Sequence, residues 1–292
     1  MVSYNPKEWL RPLYQFQRGD TFRKLLSLVL LLGVYSAVIV FVELRYFAAR
    51  ESILKNVPMM HSILGFAISM LLVFRTNTAY DRWWEGRKLW GNLVNSSRNL
   101  AVKLDAMLPM EDKNNRHYFT RLLSIFPHEL RIHLQQEETR LELDSKPHPE
   151  IPNFDRNRHV PSQVVSLLKR RVIMLYRSGQ IRNDELIILN TELISFLDIC
   201  GACERIKNTP IPWSYSTFIK KFIFMYVLTL PIGLTYLMGY LSVPVVMFVF
   251  YVLASLEVIA EEIEDPFGVD ANDLPMERLT ATISKNVTEI LD

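Results

Sequence analysis

Long uncharged runs dominate the hydrophobic pattern of this 292-residue chain. Two of them, residues 25–42 and 57–74, are each about as long as a helix must be to cross a bilayer. A third run, residues 222–256, is too long for one crossing of about 20 residues, and Gly239 and Pro244 near its middle indicate a turn. The pattern therefore predicts four membrane-spanning helices, at about residues 25–44, 57–75, 215–239 and 241–262.

The second run continues past its apolar part without a Pro or Gly interruption. Arg75 ends the uncharged stretch, and the sequence Asp81-Arg82-Trp83-Trp84 follows. Charged residues with tryptophan beside them are typical of a helix that leaves lipid and enters water. We therefore expect one long helix that starts in the membrane and extends beyond it.

Phe66, Met70 and Phe74 recur at positions i, i+4 and i+8 of this second helix. That spacing places the three side chains in one stripe on one helix face. A bulky apolar stripe on a spanning helix faces lipid, a neighbouring helix or the inside of a pore, and periodicity alone leaves these three alternatives open.

Residues 76–214 carry helical leucine spacing, with a proline-rich loop at residues 144–161. We expect an all-α membrane protein in which residues 76–214 and 263–292 form a large helical cytosolic region, and the whole chain, 1–292, is one integrated unit. Lysine and arginine are most frequent before the first and third spans and after the second, which by the positive-inside rule predicts that both termini are cytoplasmic.

Composition agrees with a multi-pass protein of a plasma or inner membrane that has a substantial water-exposed part. Hydrophobic residues make up 49% of the chain and charged residues 22%, and the mean hydropathy is +0.10. The net charge of +2 implies no nucleic acid partner. The Ser, His and Asp residues show no hydrolase order, so we expect no enzyme.

Three groups of residues are candidates for other chemistry. Cys200 and Cys203 form a C-x-x-C pair without a preceding strand or a histidine within 40 residues, so packing between helices is favoured over a redox or zinc centre. His128 and His133 are expected on a solvated face. His61 lies in the second apolar run, where an ionisable group is costly and often functional, and a wet interface position near the outer end is the alternative. The carboxylates from residue 257 to residue 273 are read as a solvated face that pairs with arginines, with calcium binding as the alternative.

Three stretches of sequence together resemble the bestrophin family of ion channels. The first is the second span with the Arg82-Trp83-Trp84 sequence after it. The second is Cys203-Glu204-Arg205 followed by Thr209-Pro210-Ile211-Pro212. The third is Ala260-Glu261-Glu262-Ile263-Glu264-Asp265-Pro266-Phe267-Gly268, with Asn272-Asp273-Leu274-Pro275 beyond it. The resemblance covers nearly the whole chain, and the chain is similar to the bacterial members of the family.

This resemblance implies a homopentamer around a central pore, with self-association and permeating monovalent ions as its partners. It identifies Phe66, Met70 and Phe74 as the apolar pore neck. It also places a second, cytosolic constriction five residues after Gly179, at Asp184, where bacterial members have isoleucine; Ile181 is the alternative.

The resemblance leaves ion selectivity open, because animal members conduct chloride and a bacterial type passes cations such as sodium. A ring of carboxylates from Asp184 favours cations, so we expect sodium-like selectivity, with an anion channel as the alternative and a non-conducting scaffold or sensor as a more remote one. The acidic run that holds calcium in animal members is broken here. Asp270 and Asp273 are therefore weak calcium candidates, and no cofactor is expected.

Overall fold

A computed structural model describes residues 21–46, 56–135 and 154–292. Every regular element in these ranges is helical. The helices are α1 (Thr21–Tyr46), α2 (Val57–Met107), α3 (Lys113–Gln135), α4 (Val160–Arg177), α5 (Asn183–Asn208), α6 (Trp213–Met238), α7 (Ser242–Glu264) and α8 (Met276–Leu291). The expected all-α class is confirmed. Most of the predicted proline-rich loop falls outside the described residues.

The chain divides into two compact units. The first contains the described part of Met1–Trp83 with Pro210–Asp265 and Asp270–Asn272, and the second contains Trp84–Thr209, Pro266–Val269 and Asp273–Asp292. The expectation of one integrated unit stays a prediction.

The first unit is a bundle in which α1 packs on α6 and α7, and α6 packs on α7. Its hydrophobic core receives side chains from α1, α2, α6 and α7, among them Leu32, Ile68, Leu72, Val227 and Val246. Large apolar side chains on the outer faces of the same helices are uncovered, for example Leu31, Val34 and Phe248. Apolar residues both inside and outside are the arrangement expected of helices surrounded by lipid.

Small residues allow the helices of this bundle to approach closely. A Cβ atom on Gly233 of α6 would lie 2.9 Å from Val57 Cγ1 at the start of α2, and one on Gly65 of α2 would lie 2.9 Å from Tyr226 Oη on α6. A larger side chain at either position would require the neighbouring Val57 or Tyr226 side chain to move. Close packing of this kind drives helix association where lipid removes the hydrophobic contrast.

The long third apolar run forms a helical hairpin, as predicted. Helix α6 ends at Met238, a single 3₁₀ turn spans Gly239–Leu241, and α7 starts at Ser242. Gly239 has φ +54°, a conformation that glycine adopts without steric cost. Lys220 near the start of α6 donates hydrogen bonds to Glu261 near the end of α7, at 2.8 and 2.9 Å. The two arms are therefore antiparallel.

The core of the second unit is mostly aliphatic and also contains several aromatic rings. Helix α3 packs on α4, α5 and α8, and α4 packs on α5. Trp90 is fully buried, and the rings of Phe126 and Phe196 meet edge to face with centroids 4.8 Å apart. Arg116 Nε donates a 2.9 Å hydrogen bond to the Leu291 carbonyl, which holds the end of α8 against α3.

Four stretches of the described residues are long and apolar enough to cross a membrane. Three of them, Thr21–Tyr46, Val57–Met107 and Trp213–Glu264, contain the four spans predicted from the sequence, since the last one includes both arms of the hairpin. The fourth is Asn183–Asn208, which the sequence pattern assigned to the cytosolic region. This helix, α5, places its buried face on α3 and α4 in the second unit.

Candidate functional site

The apolar stripe of α2 is uncovered in the single chain. Phe66, Met70 and Phe74 are 71%, 47% and 54% exposed, whereas Ile68 and Leu72 between them are buried in the core of the first unit. One side of α2 therefore packs against the other helices of the chain, and the other side presents large apolar side chains outward. The predicted stripe is present as a surface available to lipid, to another subunit or to a pore.

A buried ion cluster lies at the end of the stripe, and we call Arg75, Glu257 and Glu264 the Arg75 cluster. The Arg75 side chain is 1% exposed. Its Nη2 is 2.6 Å from Glu264 Oε2, and its Nε is 3.6 Å from Glu257 Oε1. Glu264 Oε1 also accepts a 2.7 Å hydrogen bond from the backbone N–H of Ile211. A buried guanidinium is tolerated only with such partners, because its desolvation is costly.

The Arg75 cluster fixes the rotation of α2 about its own axis. Arg75 must face α7, where both of its carboxylate partners lie. At 3.6 residues per turn, Phe74, Met70 and Phe66 then point about 100°, 140° and 180° away from Arg75. Ile68 and Leu72 lie within about 60° of it, which explains why they are buried. The ion cluster and the apolar core thus act together to turn the stripe away from the interior of the first unit.

Further polar contacts join the ends of these helices. Lys24 Nζ donates to Glu262 Oε1 at 2.6 Å, and Asn272 Nδ2 donates to the other oxygen of Glu262 at 2.7 Å. Arg82 Nε donates to the Glu264 carbonyl at 3.0 Å. These bonds tie α1 and α2 to the C-terminal end of α7.

The expectation of a solvated acidic face is therefore wrong for part of this segment. Glu257 and Glu262 are buried, although both pair with cations as expected. The sequence missed the burial because the partners, Arg75 and Lys24, are remote in the chain. Of the calcium candidates, Asp270 is exposed and Asp273 is buried, and their role stays a prediction.

The residues proposed for the second constriction differ in accessibility. Asp184 lies in the first turn of α5 with an exposed side chain, 3.7 Å from Arg182 Nη2. Glu185 caps the same turn, because its carboxylate accepts a 2.8 Å hydrogen bond from the Arg182 N–H. Ile181 is buried within its own chain.

The two cysteines are buried on α5 and are not joined by a disulfide. Burial raises the pKa of both thiols and so disfavours the thiolate that redox chemistry requires, which leaves packing as the favoured interpretation. One neighbour of Cys200 could not be predicted from the sequence. Its Sγ lies 3.9 Å from Nε2 of His159, although 41 positions separate the two residues.

The structure contradicts the solvated face expected for His128 and one of the two alternatives for His61. His128 on α3 is buried rather than solvated, and this burial lowers the pKa of its imidazole. His61 on α2 is also buried, and its Nε2 lies 3.1 Å from Thr229 Oγ1 on α6. Both side chains lie on helix faces that the tertiary packing covers, which residue spacing cannot reveal.

Comparison with known proteins places the chain in a family. A family model described as bacterial/fungal bestrophin protein matches residues 1–289. The chain belongs to the bestrophin family. The expectation drawn from the three sequence stretches is confirmed.

Relatives of this bestrophin carry names that describe channels. A voltage-dependent anion channel-forming protein of Mesorhizobium japonicum is 31% identical over 296 residues, which cover 99% of this chain and 94% of that protein. One of Ralstonia nicotianae is 30% identical over 294 residues, covering 100% and 94%. One of Escherichia coli K12 is 29% identical over 293 residues, with the same coverage.

Solved structures of a bacterial bestrophin homologue from Klebsiella pneumoniae share the fold of this bestrophin. One, phased with zinc, has a TM-score of 0.78 at 26% identity and covers 90% of this chain and 97% of that chain. A single-residue variant has a TM-score of 0.80 at 26% identity, covering 92% and 99%. Family membership therefore indicates an ion channel of a membrane rather than an enzyme.

Proposed function

We propose that this bestrophin assembles as a homopentamer and passes small monovalent ions through an apolar neck. In this arrangement five α2 helices surround the pore, and Phe66, Met70 and Phe74 of each helix line it. The observation that carries the proposal is the uncovered stripe of α2, which the Arg75 cluster turns away from the interior of its own subunit. The family resemblance favours a pore over lipid as the environment of this stripe.

The neck has simple physical consequences. Eight residues at a rise of about 1.5 Å each give an apolar tube about 12 Å long. Phe and Met side chains offer no dipoles that could replace the water around an ion, so a narrow tube of this kind closes by dewetting. Conduction requires the rings to widen or the side chains to turn aside.

Selectivity is the finer part of the proposal. Asp184, whose carboxylate is exposed, is the residue proposed for a second constriction. The five Asp184 carboxylates of a pentamer would favour cations. Burial of Ile181 within its own chain supports Asp184 over Ile181. The second candidate function is that of an anion channel, which the names of the relatives from Mesorhizobium and Ralstonia favour. A non-conducting scaffold is the remaining alternative.

We also propose that the protein resides in the plasma or inner membrane with both termini in the cytoplasm. The distribution of lysine and arginine around the apolar helices supports this orientation.

Purified protein in planar bilayers tests the neck. The double variant Phe66→Ala/Phe74→Ala should raise the conductance several-fold, because the rings that exclude water are removed. Phe41→Ala is the matched control: Phe41 lies on α1 and is 55% exposed, nearly the same as Phe74, yet it is not part of the stripe. Its current should equal that of the unmodified protein.

Three outcomes would contradict the proposal. Equal currents from the double variant and the Phe41→Ala control would remove the stripe from the permeation path. Absence of sodium and chloride flux from liposomes, in protein shown by native mass spectrometry to be assembled, would support the scaffold. The same mass measurement counts the chains in the assembly, and a number other than five would refute the pentamer.

A further inference from the structure

Three helices of the second unit bring two histidines and a glutamate together. His133 lies near the end of α3, His159 caps the start of α4, and Glu204 lies near the end of α5. We call these residues the His133 cluster. The ligand atoms of all three side chains lie within 4.8 Å of one another. None of the three contributes to the proposed neck.

Both imidazoles point at the same oxygen atom. His133 Nε2 is 2.6 Å and His159 Nε2 is 2.7 Å from Glu204 Oε1. The two rings meet edge to face with centroids 4.6 Å apart. Two nitrogen donors and a carboxylate that converge on one point form the ligand set that zinc and related divalent metals prefer.

The geometry can accommodate an ion after a small shift. Ligand bonds of about 2.0–2.1 Å in a tetrahedral zinc site separate the ligand atoms by about 3.3 Å. The carboxylate oxygen must therefore move away from each nitrogen by roughly 0.6 Å. All three side chains are about one-third exposed, so they have room to move, an ion can enter and water can occupy a remaining position.

A neighbouring hydroxyl can orient one of the imidazoles. His159 Nδ1 lies 2.6 Å from Ser162 Oγ and also accepts a 3.2 Å hydrogen bond from the Ser162 N–H. When Nε2 binds a metal, the ring proton resides on Nδ1, where Ser162 Oγ is positioned to accept it. The capping bond from the Ser162 N–H is lost in that state, which offsets part of the gain from metal binding.

We propose that the His133 cluster binds one divalent transition-metal ion of the zinc type per chain. The ligands are His133 Nε2, His159 Nε2 and the Glu204 carboxylate, with water completing the coordination. The ion cross-links α3, α4 and α5 within the second unit and stabilises that unit by mass action. In its absence the two imidazoles donate hydrogen bonds to the carboxylate instead.

Zinc binding by the purified full-length chain tests the proposal. Metal-stripped protein in detergent is titrated with Zn²⁺ alone in a calorimeter, and melting curves are recorded with and without Zn²⁺. We expect one ion per chain and a rise in melting temperature. His133→Ala and Glu204→Gln should each weaken binding at least tenfold and abolish the rise, and Ser162→Ala should weaken binding about 10- to 100-fold.

His117→Ala is the matched control, because it removes an exposed imidazole from the same helix, α3, 16 positions before His133. This variant should bind zinc as the unmodified chain does. Melting curves without metal verify that each variant is folded. Two results would overturn the proposal: the unmodified chain binds no zinc at a one-to-one ratio, or His133→Ala and His117→Ala bind zinc with equal affinity. The His133 cluster would then be a set of hydrogen bonds and not a metal site. Binding is measured without ion currents, so this result does not depend on the proposed channel.

Discussion

Replacing Arg75 by methionine removes the cation at the centre of the Arg75 cluster. The substitution keeps a long, unbranched side chain but leaves Glu257 and Glu264 without their common partner. Glu257 is buried, so water cannot take the place of the guanidinium. The destabilisation should therefore reflect the loss of the cation beside Glu257 and Glu264 rather than lost packing.

The expected magnitude follows from this burial. Breaking a buried ion pair by removing one partner costs about 3–5 kcal/mol. A change of 1 kcal/mol shifts the melting temperature of a chain of this size by about 2–4 °C. Arg75→Met should therefore lower the melting temperature by roughly 10 °C.

Lys220→Met provides the matched control on the same helix bundle. Lys220 pairs with Glu261 at 2.8 Å, but both side chains are about half exposed. An exposed pair contributes about 0–1 kcal/mol, so this variant should melt within about 3 °C of the unmodified protein.

The assay is thermal unfolding of detergent-solubilised protein, followed by the loss of the assembled peak in size-exclusion chromatography. Adding Glu257→Gln to Arg75→Met should recover part of the lost melting temperature, because it removes the buried carboxylate charge that has lost its cation. If Arg75→Met melted no lower than Lys220→Met, the Arg75 cluster could not be what fixes the rotation of α2.

The remaining predictions concern selectivity and pH. Asp184→Asn should move the reversal potential in a sodium chloride gradient away from the value expected of a cation-selective channel. Glu289→Gln, which neutralises an exposed carboxylate on α8, should leave the reversal potential unchanged. An unchanged reversal potential in Asp184→Asn would refute this constriction. Burial lowers the pKa of folded His128 below its ordinary value of 6.5, so the unfolded chain takes up this proton first and stability should fall as the pH drops below about 6.5. Melting curves between pH 5 and 8 should be flatter for His128→Leu than for His117→Leu, and parallel curves would contradict this account.

The helices and the stripe of this bestrophin could be predicted from the sequence, because both depend on local periodicity. An uncharged run of sufficient length must form a helix in lipid, where every backbone polar group needs an internal partner. Spacing at i, i+4 and i+8 then places Phe66, Met70 and Phe74 on one face whatever surrounds them. The hairpin was equally predictable, since its turn residues interrupt an apolar run too long for one crossing.

Other features were decided only by the tertiary structure. Arg75 meets Glu257 and Glu264, and His159 meets Glu204, across separations that no sequence period connects. His61 and His128 are buried, because neighbouring helices cover the faces on which they lie, whereas residue spacing favours a solvated face for His128 and allows a wet interface for His61. Helix geometry determines which residues share a face, but the burial and partners of a charged side chain depend on which distant helix packs against that face, and this is a property of the folded chain as a whole.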